Sequence, residues 1–241
     1  MPVATFLVVL GFALVHLLGR SLRLIRAGPR SHGLSAAGGV AVAYVFLHIM
    51  PELAAHQERL NNAVPPWLDF LEHHIWVLAL LGLVIFYGLE HMVRSSRALD
   101  DPDGAPRPGV FGLHIGAFAA YNALIGYLTF DRGPLDAVNL LLYFIAFGLH
   151  LLANDFSLRR EHEQAYDSFG RWILAAAVVA GWALGLVIQL PQHALSVPFA
   201  ILAGGIVLNV LKEELPEERQ SRFGAFALGT GLYTLLLLAA S

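Results

Sequence analysis

Polar side chains that can ligate a metal ion lie inside two apolar stretches near the middle of the chain, residues 116–126 and 140–155. They are Asn122 in the first stretch and His150, Asn154 and Asp155 in the second. An ionisable side chain at the centre of an apolar span costs roughly 2.5–3.5 kcal/mol, so such residues usually mark a pathway or a buried partner. The two stretches therefore indicate a metal pathway or the remnant of one.

Helical periodicity puts further polar residues in line with these four. Spacings of four, seven and eight residues share one face of a helix. One stripe contains His114, Tyr121, Asn122 and Gly126, and the other contains Tyr143, His150, Asn154 and Glu161. Two such stripes, if they face each other, could line a polar conduit from the middle of a membrane to the cytoplasm. Hydrogen bonding between helices by Asn and His is the alternative interpretation.

Asp155 lies off the second stripe. At 100° per residue it is turned roughly 140° from His150, so the two side chains cannot easily hold the same ion. Arg159 lies four residues further on, and this spacing favours a helix-surface ion pair with Asp155. His16, in the first apolar run, has no evident partner in the sequence.

Charged groups also collect at the ends of two other apolar runs. His48, Glu52 and His56 recur every four residues, and acidic residues follow them, so this end could gather cations at an entrance. A face solvated by water is the alternative. At the opposite end Glu213 continues a similar spacing, and Glu90 ends the third run on that same side, which makes these two residues candidates for the exit.

The elements that must position these residues are membrane helices. The chain is 57% hydrophobic and 14% charged, with a mean hydropathy of +0.63, and this composition excludes a soluble domain. It has no cysteine, so a metal must be bound by nitrogen and oxygen ligands. Runs of about 20 residues can span a bilayer. We predict one transmembrane domain over residues 1–241, with helices at about 3–25, 33–56, 70–93, 110–130, 134–158, 169–190, 196–214 and 223–240 and a cytoplasmic loop at 95–109.

The basic residues predict the orientation. Of the 15, 13 follow the first, third, fifth and seventh runs, and only Arg59 and Arg132 lie on the other side. Because cytoplasmic loops are enriched in Lys and Arg, we expect both termini outside the cytoplasm, in a multi-pass protein of the cell membrane. The basic residues form only short groups beside the apolar runs, so we expect no nucleic-acid binding.

The chain also contains an internal repeat. A shift of 165 residues lays residues 38–52 on residues 203–217, so that Gly39 meets Gly204, Pro51 meets Pro216, and each segment ends in Pro-Glu. The two copies belong to helices that cross in opposite directions. Inverted repeats of this kind are typical of transporters that bind substrate between the two halves.

These segments resemble the ZIP (Zrt/Irt-like) family of divalent metal transporters over nearly the whole chain. The similar segments are FLHIMPEL at Phe46–Leu53, LLGLVIFYGLEH at Leu80–His91 and LAGGIVLNVLKEELPE at Leu202–Glu217. The resemblance implies an all-α integral membrane protein with eight transmembrane helices, a 3+2+3 inverted-repeat bundle and extracytoplasmic termini.

The family's metal motifs, HNxxDG or HNxxEG and then HxxPEG or HEIPHE, are only partly present. Asn122 matches its motif position, but Tyr121 replaces the histidine and Ile125 the acid. His150 matches the first histidine of the second motif, and Asn154 occupies the position of the family's bridging acid or histidine. The central ligands that the resemblance implies are therefore Asn122, His150 and Asn154, with Asp155 one residue out of register. His48 and Glu52 would lie at the entrance, and Glu90 and Glu213 towards the exit.

The implied function is alternating-access transport of a divalent cation, zinc or a similar ion, towards the cytoplasm through an altered metal site. The ion itself would be the cargo, and we expect no organic cofactor and no enzymatic activity. The expected partners are the lipid bilayer and metal ions, with a homodimer left open. A non-transporting structural or regulatory membrane protein is one alternative. Another is a membrane metal-dependent hydrolase with ligands among His48, Glu52, His56, His150 and Asp155, but the predicted topology puts His48 and Asp155 towards opposite faces.

Overall fold

The protein is described from a computed structural model, which defines residues 2–19, 32–63, 74–100, 108–131, 137–214 and 222–240. These residues are helical almost throughout. The α-helices are α1 (Pro2–Leu18), α2 (His32–Tyr44), α3 (Met50–Ala63), α4 (His74–Asp100), α5 (Pro108–Asp131), α6 (Ala137–Ala165), α7 (Arg171–Val187), α8 (Gln192–Asn209) and α9 (Phe223–Ala240). Three π-helical turns continue them: Val45–Ile49 joins α2 to α3, Tyr166–Gly170 joins α6 to α7, and Val210–Glu214 follows α8.

Among the described residues, six helical segments are long and apolar enough to cross a membrane. They are Ser35–Arg59, Ile75–Ser96, Gly109–Asp131, Ala137–His162, Tyr166–Val187 and Ala194–Lys212. Two shorter apolar helices, Val3–Leu18 and Phe223–Ala239, accompany them. The predicted all-helical, multi-pass membrane class is therefore confirmed.

The distribution of side chains is the reverse of that in a soluble protein. Large apolar side chains face outwards, among them Val3, Val187 and Leu235, which are 68%, 82% and 67% exposed. Polar side chains are buried instead, and His16 and Asn122 are only 2% and 1% exposed. An outer surface of this kind is stable when lipid surrounds it, because lipid chains solvate apolar groups and offer polar groups no hydrogen bonds.

Several helix bounds differ from the prediction. Residues 95–100, assigned to the loop, continue α4, because the first strong helix breaker after this helix is Pro102 and no proline or glycine precedes it in this stretch. The second predicted helix runs on from residue 56 to Ala63, ahead of the Pro65-Pro66 pair, for the same reason. Residues 20–25 and 70–73 of the first and third predicted helices lie outside the described residues.

The segment α2–α3 and the segment formed by α8 and its π turn lie side by side in opposite directions. At one end α3 contacts α8, and His56 Nδ1 lies 2.8 Å from Ser196 Oγ. At the other end α2 contacts the π turn Val210–Glu214. The two copies of the predicted repeat are therefore antiparallel.

The same repeat is visible in local geometry. The π turns Val45–Ile49 and Val210–Glu214 coincide under the shift of 165 residues found in the sequence. Gly39 lies against the backbone of Phe226 in α9, and Gly204 lies against the backbone of Ala79 in α4. In each copy the absence of a Cβ atom lets two helix backbones approach closely.

Helix α6 contacts α2 and helix α5 contacts α8, so this helix pair packs against both copies, and α1 and α7 pack on its other side. Helix α7 packs along α5, and Trp182 Nε1 donates a hydrogen bond to Thr5 Oγ1 of α1 at 3.1 Å. We name the two ends of the bundle after residues that lie there. The Asp131 end contains His56 and the end of α5, and the Lys212 end contains Glu90 and the beginning of α5.

Candidate functional site

Helices α5 and α6 present their polar stripes to each other. Thr129 Oγ1 lies 2.8 Å from the Tyr143 hydroxyl, and the Tyr121 hydroxyl lies 2.5 Å from His150 Nε2. Nearer the Lys212 end, Glu161 Oε2 lies 3.8 Å from His114 Nδ1. Tyr121 and His114 of the first stripe thus meet residues of the second across the helix interface. The other two members do not, because Asn122 faces His16 of α1 and Gly126 lies against the backbone of Val178 in α7.

The middle level is a hydrogen-bonded layer formed by Tyr121, His150 and Asn154, which we call the tyrosine layer. His150 Nε2 accepts from the Tyr121 hydroxyl and lies 3.1 Å from Asn154 Nδ2, one turn further along α6. All three side chains are buried. The histidine nitrogen that could ligate an ion therefore already has two donors.

Asn122 and Asp155 belong to a second cluster, centred on His16 of α1. His16 Nδ1 lies 2.8 and 3.0 Å from the two carboxylate oxygens of Asp155, and His16 Nε2 lies 2.8 Å from Asn122 Oδ1. The Asn122 amide nitrogen donates to the carbonyl oxygen of Phe118 at 2.9 Å, which leaves Oδ1 facing the ring. The imidazole thus bridges α5 and α6, and we call this group the His16 bridge.

The sequence-predicted central residues therefore divide into two groups. His150 and Asn154 lie in the tyrosine layer, whereas Asn122 and Asp155 hold opposite sides of the His16 ring. The prediction that Asp155 and His150 point apart agrees with this arrangement.

Two expectations about partners were wrong. Arg159 does not pair with Asp155, because its Nη2 donates to Asp167 Oδ2 at 3.0 Å in the following π turn. His16 does have a partner, since α1 packs against α6 and brings the ring to Asp155. The only signal in the sequence was a histidine inside an apolar run, and periodicity cannot say which helix such a residue will meet.

A cavity of about 230 Å³ opens between α3, α5, α6 and α8. Its polar lining lies at the Asp131 end, and its apolar lining extends inwards. The lining residues used below are Glu52, His56, Arg59 and Asp131 at the polar part and Ile125, Phe147 and Ile206 in the apolar part.

The inner part of the cavity borders the tyrosine layer. Ile125 follows Tyr121 by one helical turn, and the ring of Phe147 meets the ring of His150 edge to face at 6.4 Å between centroids. The cavity therefore leads from charged residues at one end of the bundle to apolar residues that adjoin the buried polar layer.

Of the two predicted entrance residues, one lines this cavity and the other lies next to it. Glu52 lines it, and His48 Nε2 lies 3.5 Å from Glu52 Oε2 on the preceding turn. The His48 ring stacks on Tyr44, with centroids 5.0 Å apart. His48 is thus behind Glu52 rather than among the lining residues of the cavity.

The predicted exit residues lie at the Lys212 end. Glu90 forms an ion pair with Lys212, which joins α4 to the π turn after α8. Glu213 belongs to that π turn, but its side chain lies outside the described residues.

Comparison with known proteins assigns no family and no function to the chain. The chain matches no protein-family model, no curated protein and no solved structure. Its function must therefore be argued from the helices, the cavity and the two buried clusters.

Proposed function

We propose that this protein is a ZIP-like transporter that moves a divalent metal cation, zinc or a similar ion, across the cell membrane. One observation carries the proposal: a cavity bordered by both repeat copies runs from Glu52 and Asp131 to Phe147, whose ring contacts His150 of the tyrosine layer. Transporters built from inverted repeats bind substrate between their halves near the middle of the membrane. The cavity has this position in the bundle.

The chemistry of the lining favours a cation. Glu52 and Asp131 are acidic residues at the polar end, with His56 beside them. Two carboxylates flanked by low-dielectric walls raise the local cation concentration. Arg59 lies at the same end and reduces this attraction, which suits a site that releases its ion readily.

In this proposal the tyrosine layer closes the pathway below the cavity. An ion that reaches His150 must displace the Tyr121 hydroxyl from Nε2. Movement of the antiparallel repeat copies against α5 and α6 would separate Tyr121 from His150 and let the ion pass. Because the layer contributes one imidazole and no carboxylate, the ion would be held weakly there.

The direct test is uptake of Zn²⁺, Fe²⁺, Mn²⁺ and Cd²⁺ into proteoliposomes that contain the purified full-length chain. We expect uptake of at least one of these ions, and we expect His150→Ala to abolish it. His91→Ala is the matched control, because His91 is an exposed histidine on α4, and we expect it to transport at the wild-type rate. No uptake of any of the four ions by correctly inserted wild-type protein would refute the transporter.

A second candidate function rests on the hydrogen bonds that the polar side chains of both clusters already make to one another. Tyr121 fills the layer at His150, and His16 fills the space between Asn122 and Asp155. These contacts support a non-transporting membrane protein in which polar residues join the helices. Under this function neither the wild type nor Tyr121→Phe would take up an ion, and the variant would only be less stable to heat. In a transporter, Tyr121→Phe would instead change the rate of ion uptake.

A further inference from the structure

We propose that His114, Glu161 and His162 form a binding site for one divalent metal ion at the Lys212 end, separate from the cavity and the tyrosine layer. The three residues come from the first turns of α5 and the last turns of α6. All three are buried, and one ligand atom from each lies within 4.8 Å of the others. This inference goes beyond transport, since it concerns equilibrium binding.

The spacing of the ligand atoms suits a tetrahedral ion. His114 Nδ1 lies 2.9 Å from His162 Nε2 and 3.8 Å from Glu161 Oε2. Ligand atoms bound to zinc at about 2.0–2.1 Å in a tetrahedron lie about 3.3 Å from one another. Both distances are within about half an ångström of that value. Small rotations of the side chains would therefore admit an ion.

The backbone explains how two consecutive residues converge. In a regular helix Glu161 and His162 would point about 100° apart. His162 instead has φ −135° and ψ 25°, which interrupts α6 at this residue. The kink turns the His162 ring towards His114, on the side where Glu161 already points. Two adjacent residues thereby contribute to one cluster.

The alternative to a metal is a proton shared between the two imidazoles. A neutral histidine donates through one nitrogen and accepts through the other, so His114 and His162 can bond without an ion. His114 Nε2, however, is buried without a hydrogen-bond partner among the described residues, so the ring is not anchored on its far side. The carboxylate of Glu161 beside the pair adds the charge that a divalent ion requires.

The donor set selects the class of ion. Two imidazole nitrogens and one carboxylate oxygen match the zinc sites that keep a fourth position for water. Mg²⁺ and Ca²⁺ prefer oxygen ligands throughout. Lys212 is close enough to act electrostatically on His114 and Glu161, but its ion pair with Glu90 offsets its charge.

The test is Co²⁺ binding to the full-length protein in detergent after removal of metal with EDTA. Tetrahedral Co²⁺ absorbs strongly in the visible range, so the spectrum reports both occupancy and geometry. We expect one equivalent to produce a tetrahedral spectrum that Zn²⁺ abolishes. Glu161→Gln and His162→Gln should each weaken binding at least about tenfold, which is the lower bound for loss of even an outer contact.

His91→Gln is the control, because it removes an exposed histidine from the same end of the bundle and should leave the Co²⁺ spectrum unchanged. Elution in size-exclusion chromatography identifies variants that misfold. Thermal unfolding of the wild type with and without Zn²⁺ provides a second measurement that needs no variant, and we expect Zn²⁺ to raise the midpoint. A wild type that shows neither the spectrum nor the shift, or variants that bind as tightly as the wild type, would overturn the site.

Discussion

At the scale of single residues, the His16 bridge joins three helices through one buried imidazole. Both ring nitrogens face oxygen atoms, the carboxylate of Asp155 on one side and Asn122 Oδ1 on the other. The Asn122 oxygen needs a donor opposite it, so Nε2 carries a proton, and a second proton between Nδ1 and the Asp155 carboxyl completes the bridge. The bridge is then a continuous hydrogen-bonded chain from α5 through His16 of α1 to α6, and it engages Asn122 and Asp155, two of the residues predicted as metal ligands.

This arrangement predicts a coupling between His16 and Asp155. Asp155→Leu leaves His16 Nδ1 buried without its partner, and an unsatisfied buried polar group costs about 1–3 kcal/mol. The double variant His16→Leu/Asp155→Leu should recover part of that loss, because apolar replacement of both partners is often tolerated. Unfolding of the detergent-purified proteins in a double-mutant cycle measures the coupling. Additive losses would contradict the bridge, and Glu58→Ala, at an exposed position, is the control.

At the scale of helices, close packing at small residues joins each repeat copy to a neighbour. Gly229 lies against the carbonyl of Ala36, and Gly82 lies against the carbonyl of Ile201. Ala36 and Ile201 are related by the same shift of 165 residues that relates the two π turns. Helix pairs α2–α9 and α4–α8 are therefore two copies of one packing arrangement.

Two glycines of α4, one at a close helix contact and one facing open space, allow this packing to be tested. A Cβ atom at Gly82 would overlap the carbonyl oxygen of Ile201, whereas at Gly88 nothing lies within 4 Å. We expect Gly82→Ala to destabilise the protein by about 1–3 kcal/mol, as overpacking of a tight contact does. Gly88→Ala should cause no loss. Thermal unfolding followed by tryptophan fluorescence compares them, and equal midpoints for the two variants would count against the close contact.

At the scale of the whole molecule, the two antiparallel copies pack against α5 and α6, and the cavity lies among them at the Asp131 end. The opposite end is closed by the Glu90–Lys212 ion pair and by the contact between His114 and His162. If the protein is the proposed transporter, this arrangement of the described residues would be one state of an alternating-access cycle. The distribution of basic residues predicts that the open end faces away from the cytoplasm.

Cysteine labelling tests this orientation, since the chain has no cysteine and each introduced one is unique. Glu58 and Arg94 are exposed and lie towards opposite ends of the bundle. We expect a membrane-impermeant maleimide to label Glu58→Cys in intact cells and Arg94→Cys only after the membrane is opened. Labelling of both from the outside would refute a membrane-spanning arrangement between them, and the reverse pattern would invert the topology.

The properties that the sequence determined by itself are those that depend on local pattern. Hydropathy was enough to predict the apolar helices, because a run such as residues 137–162 needs apolar surroundings wherever it packs. The repeat between residues 38–52 and 203–217 was visible because equivalent helices need the same small residues. Periodicity also showed that the stripes containing Tyr121 and His150 could face each other.

Only the tertiary structure decided which side chains meet. Periodicity gives the angle of a residue around its own helix, but not the neighbour that this angle faces. For this reason Asn122 turned out to face His16 of α1, and Asp155 bonded a residue 139 positions away rather than Arg159. The cluster of His114, Glu161 and His162 depends in addition on a backbone kink that breaks the periodicity itself. Long-range packing, which local pattern does not encode, therefore determined the chemistry of the buried polar groups.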